Sequence, residues 1–246
     1  MTYCVGLKLN RGLVMMSDTR TNAGVDNISV YKKMFLWEAE GERSITLMTA
    51  GNLATTQSVV SILNERAKAA DDRGLLSILE APSMFQTARL LGETLREVIR
   101  DQAGVDGPEA EATFSATLIL GGQVRGGEPR LFMIYPEGNF VEAADDTPFF
   151  QIGETKYGKP ILVRAYDPNM SFEDAVKLLM VSFDSTIKAN LSVGLPLDLH
   201  IYETDSFQQG VTRRIAKDDP FFAMISAGWG EALRDAFYRL PSYSLD

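Results

Sequence analysis

From Tyr3 to Leu9 apolar and small residues alternate, Asn10, Arg11 and Gly12 interrupt them, and residues 13–16 resume an apolar run. This is the pattern of a β-hairpin closed by a tight turn. Its return strand ends in Ser17, Asp18, Thr19, Arg20 and Thr21, a polar cluster that the hairpin carries back beside Thr2. A second apolar hairpin is predicted from residues 28–37 pairing with 44–48, interrupted by Lys32 and Lys33. At Thr49, Ala50, Gly51 and Asn52 the strand stops and a helical period takes over. Leu53, Val59, Val60, Leu63 and Ala67 mark one face of a helix over 53–70, and Phe85, Ala88, Leu91, Leu95 and Ile99 mark a second over 82–102. The Gly-, Glu-, Pro- and Asp-rich stretch 103–112 reads as a loop.

The period then returns to two. Strands are predicted over 114–120, ending at Gly121 and Gly122, over 131–135 and 139–142 as a hairpin across Pro136, Glu137 and Gly138, and over 149–152, closed by Gly153. Helices are predicted over 156–164 and 171–191. Ser171 with Asp174 three residues on approximates a capping box for the second, and Phe172, Val176, Leu179, Phe183 and Ile187 give it a buried face. A strand over 197–202 follows. Beyond Asp205 the chain runs through 211–217 into a helix over 219–240 rich in large apolar residues, among them Phe221, Phe222, Trp229, Leu233 and Phe237. Such a face has to be covered, by its own domain or by a neighbouring subunit. Strand pairs, two helices, strand pairs and two helices form the order of an α+β sandwich with helices on both outer faces.

Length and charge narrow the function classes. With 246 residues the chain can build one large domain with a sizeable core, although length alone would allow two. A hydrophobic fraction of 45% with 23% charged residues is that of a soluble globular protein. The net charge of -9 argues against a nucleic-acid surface. Cys4 is the one cysteine, so no intrachain disulfide forms. There is no basic segment leading into a short apolar run and no apolar stretch of about 18 residues, so a cytoplasmic protein without a membrane partner is expected. No phosphate-binding loop of the GxxxxGK[ST] kind is present; Gly121, Gly122, Gly126 and Gly127 bracket a turn, and the chain is not expected to hydrolyse ATP. His200, the sole histidine, lies in an alternating strand without metal-ligand spacing, so it reads as a sheet residue and no metal or cofactor is expected.

The candidate chemistry gathers at the chain start. If Met1 is removed, Thr2 carries a hydroxyl nucleophile and a free α-amine whose ordinary pKa of about 7.7–8.0 suits proton transfer near neutrality. This is one form of activated nucleophile; a second-position threonine also simply starts many strands. A lysine ammonium beside it would lower the hydroxyl's effective pKa, and a carboxylate such as Asp18 would keep that ammonium charged and aimed. Lys33, directly before the apolar run 34–37, is preferred for this role, whereas Lys32 reads as a solvated strand position. Gly51, where a strand meets a helix start, could present a backbone N–H to an oxyanion, or could be a turn residue and nothing more. Cys4 is rejected as nucleophile because it lies inside an apolar strand.

A Thr behind Met1, the stretch SDTRTNAG from Ser17 to Gly24, a lysine at position 33 and a TAG leading into a helix together resemble the β-type proteasome and HslV branch of the N-terminal nucleophile hydrolases. The wording SVYKKMF over residues 29–35 is most similar to a bacterial, proteasome-related member of that branch. The resemblance covers roughly residues 2–205 and implies a four-layer αββα sandwich, a nucleophile at Thr2, support from Asp18 and Lys33 and an oxyanion amide at Gly51. It places the C-terminal helix outside the shared core, as an extension of a single domain. In the proteasome relatives an aspartate and a serine lie near the nucleophile at the loop 188–194. Ser192 matches the serine, but Asn190 stands where the aspartate would be and cannot hold its charge. A polar helix end followed by a glycine turn explains Asn190 and Gly194 as well. The resemblance further implies a homo-oligomeric ring or open spiral acting on a peptide or amide substrate, with an ATP-dependent unfoldase as a further partner to look for. A small-molecule amidase and a non-catalytic assembly protein of the same fold are the alternatives.

Overall fold

The computed structural model describes residues 2–22, 28–68, 76–104 and 108–245. In chain order the elements are β1 (Tyr3–Leu9), β2 (Gly12–Asp18), β3 (Arg20–Asn22), β4 (Ile28–Val30), β5 (Met34–Ala39), β6 (Arg43–Gly51), α1 (Leu53–Lys68), α2 (Met84–Ala103) and α3 (Pro108–Thr113). They continue as β7 (Ala116–Val124), β8 (Arg130–Ile134), β9 (Phe140–Glu142), β10 (Phe149–Gly153), α4 (Lys159–Ala165), α5 (Phe172–Ala189), β11 (Leu197–Glu203), β12 (Val211–Ile215) and α6 (Pro220–Tyr238). One sheet has the order β10-β1-β2-β11-β12, a second β5-β6-β7-β8-β9, and β3 and β4 form a separate ribbon.

Strand alternation distributes side chains among three cores and so produces the layers. On β1, Tyr3, Val5 and Leu7 pack under α5, whereas Cys4 faces the other sheet. On β2, Val14 and Met16 take the helix side, and Leu13 and Met15 the inter-sheet side. The second sheet mirrors this arrangement. Ile45, Leu47, Leu118 and Leu120 meet α1 and α2, while Met48 and Ile119 point to the first sheet. Both faces of these strands are covered, which is why β1, β2 and β6 are buried almost without interruption. The result is the expected αββα sandwich, with α1 and α2 outside one sheet and α4, α5 and α6 outside the other.

The helices begin and end for local reasons. Ser83 accepts from the Gln86 N–H at 3.2 Å at the start of α2, and Ser171 accepts from the Asp174 N–H at 3.0 Å at the start of α5. Asp219 caps α6 by accepting from Phe222 N–H at 2.8 Å, with Pro220 at the first helical position.

Three expectations are corrected. Residues 28–37 do not make one strand: β4 pairs with β3, Tyr31 to Lys33 lie in no strand, and pairing with β6 starts at Met34. The cause is Lys33, whose buried ammonium is drawn inward instead of lying along a sheet face. The stretch 103–112 is not all loop, because Pro108–Thr113 forms α3, where a proline in the first turn meets alternating Glu and Ala. The strand expected to end before Gly121 runs through it to Val124. A Cβ at Gly121 would come within 2.8 Å of Met15 Sδ, so glycine there admits close sheet-to-sheet packing rather than ending the strand. The stretch Val211–Ile215 adds β12 to the edge of the first sheet.

Candidate active site

Pairing of β1 with β2 in the register Cys4 to Ser17 puts the start of β1 beside the end of β2. The Tyr3 N–H accordingly donates to Asp18 Oδ1 at 3.0 Å. The same oxygen accepts from Lys33 Nζ at 2.8 Å, and that ammonium also donates to Arg20 O at 2.6 Å. The backbone at Lys33 is fixed in turn by the Thr49 N–H, which donates to Lys33 O at 3.0 Å. Thr2 itself is buried, with 8% exposure.

Asp18 and Lys33 form a buried ion pair, with side chains 0% and 5% exposed. Burial raises the Asp18 carboxyl above the usual carboxylate range, opposed by the charge and hydrogen bond of Lys33 and by the N–H groups of Tyr3 and Gly194. Asp18 Oδ2 and the neighbouring Ser17 Oγ are both buried without a hydrogen-bond partner among the described residues.

Two further candidates fall at element ends. Gly51 closes β6 at a φ of 114°, and a Cβ there would lie 2.5 Å from Ser115 O, so no other residue fits this junction without strain. Helix α1 starts immediately after it, with Asn52 Oδ1 accepting from the Thr55 N–H at 3.2 Å. Ser192 lies half-buried in the turn after α5, its N–H donating to Asn190 Oδ1 at 2.9 Å. That turn is tied to the end of β2, since Arg20 Nη1 donates to Leu191 O at 2.8 Å and Thr19 Oγ1 to Pro196 O at 2.7 Å. Lys32 is exposed, its ammonium 5.6 Å from the Phe35 ring centroid.

Glu154 is a neighbour that the sequence did not disclose. Its N–H donates to Thr2 O at 2.7 Å, and its carboxylate accepts from Asn190 Nδ2 at 2.9 Å and from the Lys156 N–H at 3.4 Å. The approach depends on Gly153, at a φ of 85°, where a Cβ would sit 1.9 Å from Thr2 O. A glycine-acid pair after a short strand was the available signal, but only the pairing of β10 with β1 shows what it borders.

Two titratable residues stand apart. Cys4 is fully buried, and burial pushes its thiol upward, with the Asp18 carboxylate adding to the effect. His200 lies between the sheets with Nε2 2.6 Å from Gln209 O and Nδ1 2.8 Å from Thr46 Oγ1. A carbonyl can only accept, so Nε2 carries the proton and Nδ1 accepts from Thr46. Burial holds His200 below its ordinary pKa, as a neutral sheet residue. Among the described residues no cluster of His, Cys, Asp or Glu could hold a metal ion, and no helix is long and apolar enough to cross a membrane.

This chain is similar over 99% of its length, and over the whole of the other chain, to a solved structure named Anbu (ancestral beta-subunit) from Yersinia bercovieri, at 48% identity and a TM-score of 0.90. The chain belongs to the Anbu family. A second Anbu structure, titled as the helical assembly of the Anbu complex from Pseudomonas aeruginosa, is 44% identical over 99% of both chains with a TM-score of 0.90. The family model described as Proteasome subunit matches residues 109–196. A curated proteasome subunit beta 2 from Pyrobaculum calidifontis is 25% identical over 206 residues, 83% of this chain and 90% of that protein. Anbu proteins and proteasome β subunits are thus the relatives of the sandwich described above.

Proposed function

We propose that this Anbu protein is a threonine-type N-terminal nucleophile hydrolase that cleaves peptide or other amide bonds through Thr2 once Met1 is removed, within a homo-oligomeric assembly. The observation that supports it most is the shared Asp18 oxygen, which accepts from both the Lys33 ammonium and the Tyr3 N–H. It fixes a cation beside the backbone that carries Thr2, in a buried setting where charge acts strongly.

In this reading the α-amine of Thr2, directly or through a water, takes the proton from its own hydroxyl, and the oxygen attacks the substrate carbonyl carbon. The Gly51 N–H stabilises the oxyanion, Lys33 keeps the surroundings positive, and Ser192 borders the site from the turn after α5. Collapse of the intermediate breaks the C–N bond. The amine then returns its proton to the leaving nitrogen, and a water hydrolyses the ester to regenerate Thr2. Assembly is proposed from two supports: the helical assembly of the Anbu complex from Pseudomonas aeruginosa, and the exposure of Phe221, Met224, Leu233, Phe237 and Tyr238 on α6.

The test is Thr2→Ala, assayed for peptide and acyl-amide turnover alongside particle mass. The expected result is loss of turnover with assembly unchanged. Turnover that survives the substitution rules out Thr2 as nucleophile, and an assembled wild-type protein with no turnover on any amide favours a non-catalytic role.

A further inference from the structure

We propose that Glu154 is the counter-charge of the Thr2 α-amine, holding the liberated ammonium beside the hydroxyl and setting the pH at which it gives up its proton. The proposal rests on the reading of Thr2 as a processed chain start. It concerns a positioning residue, since Glu154 would act through the amine and not on the substrate.

The geometry begins with the backbone. The Glu154 N–H is bonded to the carbonyl of Thr2 itself at 2.7 Å, so the glutamate is held within a side chain's length of the Thr2 nitrogen. Its carboxylate does not turn to solvent, because the residue is only 9% exposed and accepts from Asn190 Nδ2 at 2.9 Å. Asn190 is itself fixed, its Oδ1 accepting from the Ser192 N–H at 2.9 Å.

Charge accounting then singles Glu154 out. Of the charged groups on the elements around the start of β1, Asp18 is paired with Lys33, and Asp184 with Lys188 at 2.9 Å. Arg20 donates to Leu191 O, and Lys156 meets Glu154 through its backbone N–H. Among the described residues Glu154 has amide donors and no cation within ion-pair distance. A carboxylate buried without a cation is costly, and a cation placed beside it offsets that cost. Removal of Met1 creates such a cation next door. Because the charge of Lys33 is already matched by Asp18, Glu154 is the group left to hold the new ammonium.

The experiment measures the amine directly in the assembled, processed protein, by competitive labelling with trace acetic anhydride across pH and mass-spectrometric counting of acetyl on the N-terminal peptide. Glu154→Gln keeps the hydrogen-bonding shape and removes the charge. The apparent pKa of the Thr2 amine should fall by about one unit or more. Asn190→Asp, the second variant, adds a negative charge in the same cluster and should raise it. An unmoved amine pKa in Glu154→Gln overturns the proposal. If that variant does not assemble, an unmoved value in Asn190→Asp does so. Peptide turnover measured in parallel separates the two readings. An amine that shifts in a protein with no turnover sinks the nucleophile and not Glu154, and turnover through Thr2 with an unmoved amine sinks Glu154 alone. A wild-type chain that retains Met1 overturns both.

Discussion

Replacing Lys33 by Met tests the buried pair that supports the start of β1. Its side chains are 5% and 0% exposed and meet at 2.8 Å, and the same ammonium holds Arg20 O. Removing one member of such a pair leaves an uncompensated buried charge, at a cost of about 3–5 kcal/mol. Against a total stability of roughly 5–15 kcal/mol, that loss lowers the urea midpoint by more than about 1 M, measured at one fixed protomer concentration. The double variant Lys33→Met with Asp18→Asn carries no stranded charge and should regain much of the loss, giving a coupling of roughly 0.5–3 kcal/mol in a double-mutant cycle. The single variant should also become pH-dependent in a definite direction. Without the ammonium Asp18 is driven further above its unfolded pKa of about 3.9, so the folded state holds a proton that the unfolded chain releases. Its stability is then greatest below that value and falls as pH rises through the folded pKa. Neither variant should turn over an amide substrate. A single variant within about 0.5 kcal/mol of the parent, or strictly additive substitutions, would refute the claim that Asp18 is a charge compensated by Lys33.

Three further outcomes follow from the same structure. Gly153→Ala would place a Cβ 1.9 Å from Thr2 O at a φ of 85°, so it should destabilise the fold by about 3 kcal/mol or more and displace Thr2; an unchanged melting temperature contradicts the contact. Since burial holds the folded pKa of His200 below that of the unfolded chain, its contribution to stability is present above about pH 6.5 and lost as pH falls through the folded value. His200→Gln should flatten that part of the stability profile, and an unaltered slope contradicts it. Deleting residues 219–246 removes α6 with its exposed Met224, Leu233 and Phe237 and should break the assembly, seen as a reduced particle mass by light scattering or native mass measurement; an unchanged assembly contradicts it.

What could be read in the sequence and what could not divide along a physical line. The hairpin of β1 and β2 and the long helices α2 and α5 were visible because each buries apolar residues with its own period, and the final helix because its apolar residues recur along it although most stay exposed. The closeness of Asp18 to the chain start followed from that hairpin alone. Lys33 misled the strand prediction for the reason it matters to the site: a buried ammonium overrides the pattern around it. Gly121 reads as a strand end in the sequence because a sequence does not show that another sheet lies against it. Glu154 was invisible because it reaches Thr2 only through the pairing of β10 with β1, elements separated by nearly 140 residues and eight other strands. Local periodicity carries no information on such a partnership.

The most direct test of the account is peptide mapping by mass spectrometry after the native, assembled protein is treated with a β-lactone that acylates nucleophilic hydroxyls. The account predicts an N-terminal peptide that begins at Thr2 and carries the acyl group on that residue. A peptide that still begins at Met1, or an acyl group found only elsewhere, would contradict it.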